Sequence, residues 1–111
     1  MKKKRIYIAG KITGRPINEA AMDFKRAELV FKKAGYDVVN PMNLKHDHDK
    51  SWESYMRECI AALVTCDSIA LIDGYESSTG AQLEYTIALA LNMNFYFETD
   101  RIWNHSIFCN N

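Results

Sequence analysis

Short apolar runs separated by longer segments of mixed character give this chain its pattern. Such runs, rich in β-branched and aromatic residues, are typical of buried strands. The third run is apolar almost throughout, as expected for a strand in the middle of a parallel sheet. We therefore predict four strands, over residues 5–9, 36–39, 66–72 and 94–97.

Between these runs, apolar residues recur at helical spacing. Asn18 is a candidate N-cap and Gly35 a candidate terminating glycine, which predicts a helix over about residues 19–34. Ser51, or alternatively Ser54, begins a second helix that runs to about residue 64, and a third helix spans about residues 79–91. The tail over residues 101–111 is either a short helix or an arm.

The alternation of strands and helices predicts one α/β domain over residues 1–111. Its sheet of four to five strands is expected to be parallel, with helices on both faces. Because ligands of such folds bind beyond the carboxyl ends of the strands, the candidate site lies where three loops meet. These loops are residues 10–16, 40–50 and 73–78.

Composition excludes several classes of protein. The 111 residues carry 14 Lys and Arg against 14 Asp and Glu, which gives no electrostatic footprint for nucleic acid or an anionic membrane. No stretch approaches the ~20 apolar residues of a membrane span. The three cysteines are odd in number and form no CxxC pair, which favours a reducing, cytoplasmic context without disulfides or a zinc site.

The first loop is glycine-rich, but its spacing excludes two common phosphate-binding motifs. Gly10 and Gly14 match neither GxGxxG nor GxxxxGK[ST], so a dinucleotide or Walker-type site is not expected. The loop is either a plain turn or a cradle in which backbone N–H groups approach a phosphate or sugar.

The start of the third helix has two interpretations. Ser77, Ser78 and Thr79 precede Gly80, and hydroxyls together with free N–H groups at a helix start can bind an anion. Alternatively, Thr79 and Gln82 form a capping box, which needs no ligand.

Glu84 is the strongest candidate for chemistry. It lies on one stripe of the third helix with small or apolar residues (Ala81, Ala88 and Leu91), which is an unusual position for a solvent-exposed carboxylate. Because it lies near the helix N-terminus, the helix dipole is expected to favour the ionised form, which could act as a nucleophile or base. The alternative is a boundary glutamate paired with Lys or Arg.

Other candidates favour structural roles. The His46–Asp49 loop alternates His and Asp but lacks a further ligand set, so we expect no metal and no cofactor. Cys59 and Cys66 are interpreted as one face of a helix that packs in the core. Trp52, Tyr55 and Met56 are interpreted as core rather than a binding site, and Tyr7 and Tyr75 as either core or pocket residues.

Four motifs together resemble the nucleoside 2-deoxyribosyltransferase-like proteins, and among them the DUF4406 branch. The motifs are residues 6–14, 39–41, 66–69 and 80–84, and the resemblance spans about residues 5–97. It implies a flavodoxin-like, three-layer α/β/α fold and cleavage of an N-glycosidic bond in a nucleoside or nucleotide. It also implies a homo-oligomer, a dimer or tetramer, in which neighbouring subunits complete each site.

The resemblance also implies roles for individual residues. Glu84 would attack the anomeric carbon to form a glycosyl-enzyme, Tyr7 would orient Glu84, and water or a second base would then take the sugar. Related transferases have an aspartate six residues before the nucleophile, whereas hydrolases of 5′-monophosphates have serine, as here at Ser78. This difference favours a 5′-monophosphate substrate, since a carboxylate would repel the phosphate. The residues that the resemblance implies for substrate binding are Gly10, Ile12, Gly14, Asp73, Ser77, Ser78 and Gly80.

The alternatives to an enzyme are a nucleotide-binding or sensing module without turnover and a plain interaction domain. Asp67 is a further acidic position near the third strand, and the resemblance assigns it no role.

Overall fold

The structure, a computed structural model, describes residues 3–44 and 51–106. Five strands form one sheet in the order β2-β1-β3-β4-β5, in which β1 to β4 are parallel and β5 is antiparallel to β4. The strands are β1 Arg5–Ala9, β2 Asp37–Val39, β3 Ser68–Leu71, β4 Asn94–Thr99 and β5 Ile102–Ser106. The helices are α1 Ile17–Lys33, α2 Trp52–Leu63 and α3 Thr79–Ala90, with short 3₁₀ turns at Pro41–Asn43 and Tyr75–Ser77.

The predicted strands are all present, with small differences at their ends. β1 has the predicted bounds, β2 and β3 are shorter, and β4 extends two residues further, to Thr99. β2 lies on one side of β1, and β3, the next strand along the chain, lies on the other side. The connections therefore change direction between β1 and β3. This is the place where a parallel α/β sheet opens a crevice for a ligand.

The tail prediction was wrong for the part that the structure describes. Instead of a short helix or an arm, residues 102–106 form β5, which pairs with β4 through a tight hairpin. Asp100 and Arg101 make the turn with φ of 52° and 65°. Two left-handed residues are the requirement of a type I′ hairpin, but Asp-Arg lacks the glycine that usually marks such a turn in a sequence.

α1 begins two residues earlier than predicted, and Asn18 is not its N-cap. Pro16 precedes the helix, and its carbonyl accepts from the N–H of Ala20. Proline suits this position because the first residues of a helix need no N–H donor within the helix. The other end agrees with the prediction: Gly35 follows the helix with φ of 97°, and its N–H donates to the carbonyl of Lys32.

α2 begins as predicted. Ser51 caps it, and the Ser51 side chain accepts from the N–H of Ser54. The helix ends at Leu63, so Cys59 lies on it whereas Cys66 lies beyond its end. Both thiols are free and pack in or against the same core cluster, as predicted, but the predicted shared face of one helix is wrong because α2 ends before Cys66.

Alternate residues of β1 belong to different core clusters. Ile6 and Ile8 pack in clusters that contain apolar residues of α1, whereas Tyr7 and Ala9 belong to a cluster with residues of α2 and α3. This is the expected consequence of strand geometry, since successive side chains point to opposite faces of a sheet. Of the helices in the described ranges, none is both long and apolar enough to cross a membrane.

Candidate functional site

A buried carboxyl group with a tyrosine partner forms the centre of the candidate site. Glu84 on α3 is only 5% exposed, and Tyr7 on β1 is fully buried. The Tyr7 hydroxyl donates a hydrogen bond to Glu84 Oε2 across 2.5 Å. Among the described residues, no Lys or Arg forms an ion pair with Glu84, so the boundary interpretation of this glutamate is wrong.

The electrostatics of Glu84 differ from the expectation based on the helix dipole. Burial raises the pKa of its carboxyl group from 4.5 to about 7, and the Tyr7 hydrogen bond opposes part of that rise. Desolvation therefore outweighs the helix N-terminus, and the expectation of a fully ionised group is corrected. A carboxyl group with a pKa near neutrality can exchange a proton at physiological pH, which is a property of catalytic carboxyl groups.

Two further side chains of α2 lie beside this pair. Tyr55 and Cys59 line the same pocket as Tyr7 and Glu84. Burial raises the pKa of Tyr7, Tyr55 and Cys59, so each is neutral at physiological pH.

These residues line a pocket at the carboxyl end of β1. Its volume is about 30 Å³, which is room for little more than one water molecule. Two glycines keep its walls close together: a Cβ on Gly10 would lie 3.1 Å from Ile72, and one on Gly80 would lie 3.1 Å from Met56 Sδ. The full lining is Tyr7, Ile8, Gly10, Ile12, Thr13, Phe24, Pro41, Trp52, Tyr55, Met56, Cys59, Gly80, Ala81 and Glu84.

The structure brings five of the expected site residues to this pocket and places four elsewhere. Tyr7, Gly10, Ile12, Gly80 and Glu84 line it, whereas Gly14, Asp73, Ser77 and Ser78 are not in its lining.

The four residues outside the lining have local contacts. Gly14 turns the first loop with φ of 84°, and the Ser77 hydroxyl donates to the carbonyl of Gly74. Asp73 accepts from the N–H of Asp100 and so supports the β4–β5 hairpin. Asp67 lies at the opposite end of β3, where it accepts from the N–H of Arg5.

The cap of α3 differs from the predicted capping box. Ser78, not Thr79, is the N-cap, and its hydroxyl accepts from the N–H of Ala81. Gln82 donates to the carbonyl of Glu76 and does not reach back to the cap. A capping box needs Glu or Gln three residues after the cap, and that position here is Ala81.

Residues of α2 were the part of the pocket that the sequence did not reveal. Trp52, Tyr55 and Met56 all line the pocket, although Met56 is also buried as a core residue would be. Their helical spacing fits core and pocket equally well. In the structure Trp52, at the start of the helix, is 42% exposed and forms part of the edge of the pocket, which no sequence signal indicated.

No metal centre is found in residues 3–44 and 51–106, where no group of three or more His, Cys, Asp or Glu side chains could hold an ion. The His46–Asp49 loop lies outside the described residues.

Fold and site together define an α/β protein with a buried glutamate–tyrosine pair at the carboxyl ends of its parallel strands. The chain belongs to the family described as "Domain of unknown function (DUF4406)", which it matches over residues 4–97. Comparison with curated proteins gives no match.

Proposed function

We propose that this protein cleaves or transfers the N-glycosidic bond of (deoxy)nucleosides or, in preference, their 5′-monophosphates, with Glu84 as nucleophile. The observation that carries the proposal is the buried Glu84, held by Tyr7 at the end of a parallel strand. The resemblance to the nucleoside 2-deoxyribosyltransferase-like proteins supplies the reaction class.

In the proposed mechanism, Tyr7 binds Oε2 of Glu84 and leaves Oε1 to attack the anomeric carbon. The bond to the base breaks, the base leaves with the electron pair, and a glycosyl ester of Glu84 forms. Water or a second base then attacks the same carbon and releases the carboxylate. Neither step requires a cofactor.

The pKa of Glu84 sets the expected pH dependence. Attack requires the ionised carboxylate, and the pKa of this group is about 7. The rate is therefore expected to rise with pH and to level off above about 7, as the fraction of ionised Glu84 approaches one.

Substrate access requires movement of side chains. A pocket of about 30 Å³ does not hold a sugar, so the flexible side chains at its edge must shift when a ligand enters. Met56 and Trp52 lie against Gly80 at this edge, and methionine in particular adapts its shape at little cost.

Base release is the direct test of the proposal. The protein is incubated with the four common deoxynucleoside 5′-monophosphates and the matching nucleosides, and free base is measured by chromatography. We expect release by the wild type, none by Glu84→Gln and reduced release by Tyr7→Phe. Two variants outside the pocket lining serve as matched controls, Glu19→Gln, exposed on α1, and Tyr96→Phe, which loses a hydroxyl contact to Tyr36. Release that persists in Glu84→Gln would refute the mechanism, and intact ligand bound without turnover would instead favour the sensing module.

We also propose the finer architecture that the resemblance implies, a flavodoxin-like, three-layer α/β/α arrangement. The strand order and the separate packing of Ile6 and Ile8 with α1, and of Tyr7 and Ala9 with α2 and α3, support it.

Assembly and location complete the proposal. We propose a cytoplasmic homo-oligomer, a dimer or tetramer, that binds a small nucleoside or nucleotide rather than nucleic acid or membrane. Exposed leucines on α3 support a contact between subunits, and the free thiols of Cys59 and Cys66 are typical of a reducing compartment.

A further inference from the structure

The first loop, residues 10–16, forms one wall of the pocket with little support from its own backbone. Gly10, Ile12 and Thr13 line the pocket, and Ile12 also packs against the core cluster that contains Phe24. Among the described residues, the backbone of residues 11–15 takes part in no backbone–backbone hydrogen bond. The shape of this wall therefore depends on side chains.

Arg15 is the side chain that joins the loop to its surroundings. Its Nη1 donates to the carbonyl of Lys11 at 3.3 Å, which closes the loop on itself. Its Nη2 donates to Oδ2 of Asp23 on α1 at 2.7 Å, which fixes the loop to the helix. The rigid, planar guanidinium can make both bonds at once, and the Arg15 side chain is only 20% exposed, so water competes little with them.

Asp23 is a fixed anchor for this arginine. Its other oxygen, Oδ1, accepts from Nη1 of Arg26, one turn along α1, at 2.7 Å. Burial alone would raise the pKa of Asp23, but the hydrogen bonds from Arg26 and Arg15 lower it below its usual value. The carboxylate is therefore ionised at neutral pH and has a guanidinium on each oxygen.

We propose that Arg15 is a positioning residue, which clamps the first loop onto Asp23 and so fixes the pocket wall formed by Gly10, Ile12 and Thr13. Gly14, with φ of 84°, makes the turn that brings Arg15 back to the Lys11 carbonyl. The two walls of the pocket then differ: the loop is held in place, and the side chains of α2 move when a ligand enters. The use of this wall by a substrate rests on the proposed function, but the clamp itself does not.

Backbone ¹⁵N relaxation of residues 11–14 tests the clamp without any substrate. We expect NMR order parameters of about 0.85 in the wild type and below about 0.6 in Arg15→Ala and in Asp23→Ala. The double variant should lower them no further than Arg15→Ala alone, because both changes break the same ion pair. Glu19→Ala is the matched control, since it removes the more distant carboxylate, 3.7 Å from Arg15, and leaves Asp23 in place.

Kinetics test what the clamp does for the substrate. A loose wall weakens the binding of substrate and transition state alike, so we expect Arg15→Ala to raise KM by about fivefold or more and to change kcat by less than about twofold. General destabilisation of the fold would lower kcat instead, because it removes active protein. The rise in KM should be equal for a 5′-monophosphate and its nucleoside, since Arg15 acts through the loop and does not bind the phosphate.

The outcomes separate the clamp from the proposed function. Order parameters that are unchanged in folded Arg15→Ala, or equally lowered in Glu19→Ala, would overturn the clamp. A rise in KM confined to the 5′-monophosphate would overturn it as well, because Arg15 would then bind the phosphate directly. A loop that loosens only in Arg15→Ala and Asp23→Ala would support the clamp even if the wild type releases no base, a result that would contradict the proposed function alone.

Discussion

The burial of Glu84 destabilises the native state, and it also gives the carboxyl group a pKa at which it can exchange a proton near neutral pH. Burial raises its pKa to about 7, so the native state binds a proton more tightly than the unfolded chain does, in which the pKa is near 4.5. Native stability therefore falls as pH rises from about 4.5 to about 7, by about 3 kcal/mol in total. A cost of this size is tolerated where a buried carboxyl group is needed for function.

Replacement of this carboxyl group by an amide should stabilise the protein. Glu84→Gln is neutral at every pH, and the Tyr7 hydroxyl can still donate to the amide oxygen. We expect its free energy of unfolding to exceed that of the wild type at pH 8 by about 1–3 kcal/mol and to show no such advantage at pH 4.5. Urea unfolding at several pH values measures the difference. A gap between the two proteins that stays constant with pH would contradict the raised pKa.

The sequence revealed Glu84, and the resemblance indicated its Tyr7 partner, but the side chains of α2 in the same pocket were not predicted. A carboxylate on a stripe with Ala81 and Ala88 is visible from helical spacing alone, and all three residues are buried in the structure. Tyr55 and Cys59 line the pocket of Glu84 from a different helix, and no local pattern encodes that arrangement. The pKa of Glu84 was likewise not predictable, because desolvation depends on the packing of β1 and α2 around it.

At the scale of single elements, Ser78 at the start of α3 has two proposed roles, capping the helix and binding a phosphate. Ser78 caps this helix through its hydroxyl, and the resemblance gives the same residue a part in binding a 5′-phosphate. The cap requires only an acceptor oxygen, whereas a phosphate requires a neutral or donating group. Aspartate satisfies the first requirement and not the second.

Ser78→Asp therefore separates the cap from the substrate preference. We expect its thermal stability to match the wild type, since Asp and Ser cap helices about equally well. We expect the ratio of base release from a 5′-monophosphate to that from the matching nucleoside to fall by about tenfold or more, through charge repulsion. An unchanged ratio in a stable protein would mean that Ser78 only caps the helix.

The ends of three elements meet at a second buried carboxylate, Glu98 on β4. Its side chain is 1% exposed; one oxygen accepts from Arg26 of α1 at 2.8 Å and the other from the N–H of Asp73 at 3.1 Å. It thereby joins α1, β4 and the loop that follows β3. Arg26 also pairs with Asp23, so part of its charge stays compensated without Glu98.

Removal of this junction should destabilise the fold without affecting the pocket. We expect Glu98→Ala to lower the free energy of unfolding by about 2–3 kcal/mol, since it leaves the partly buried N–H of Asp73 and part of the Arg26 charge without the Glu98 partner. Exposed Glu19→Ala, which loses only a surface ion pair with Arg15, should change it by less than about 0.5 kcal/mol. Denaturant unfolding of both variants measures the two changes in the free energy of unfolding. Equal losses of stability in the two variants would refute a structural role for Glu98.

Helix ends were predicted correctly where interactions within one turn of the chain determine them. Ser51 and Gly35 behave as predicted because a cap and a terminating glycine act within one turn of helix. Asn18 and Thr79 were wrong as caps because a neighbouring residue, Pro16 or Ser78, took the position instead. β5 escaped notice because its pairing with β4 decides its structure and its turn lacks glycine.

At the scale of the whole molecule, the order of strands and helices predicted the α/β class. The association between copies depends on the exposed surface, which the pattern of strands and helices does not predict. α3 carries a single charged residue, the buried Glu84. Leu83 on α3 is 38% exposed, and Leu91 directly after the helix is 53% exposed. An uncharged surface with exposed leucines is typical of an interface, which supports the proposed contact between subunits there.

Light scattering at micromolar concentration tests this assembly. We expect the wild type to have at least twice the mass of the 12.8 kDa chain and Leu83→Lys to shift it towards the monomer, because a lysine would bury an unpaired charge in the contact. Met22→Lys is the matched control, since Met22 is equally apolar and more exposed but lies on α1. A monomeric wild type would refute the oligomer, and equal dissociation by both variants would place the contact elsewhere than on α3. If the neighbouring subunit completes the pocket, as the resemblance implies, Leu83→Lys should also lose base release in proportion to its dissociation.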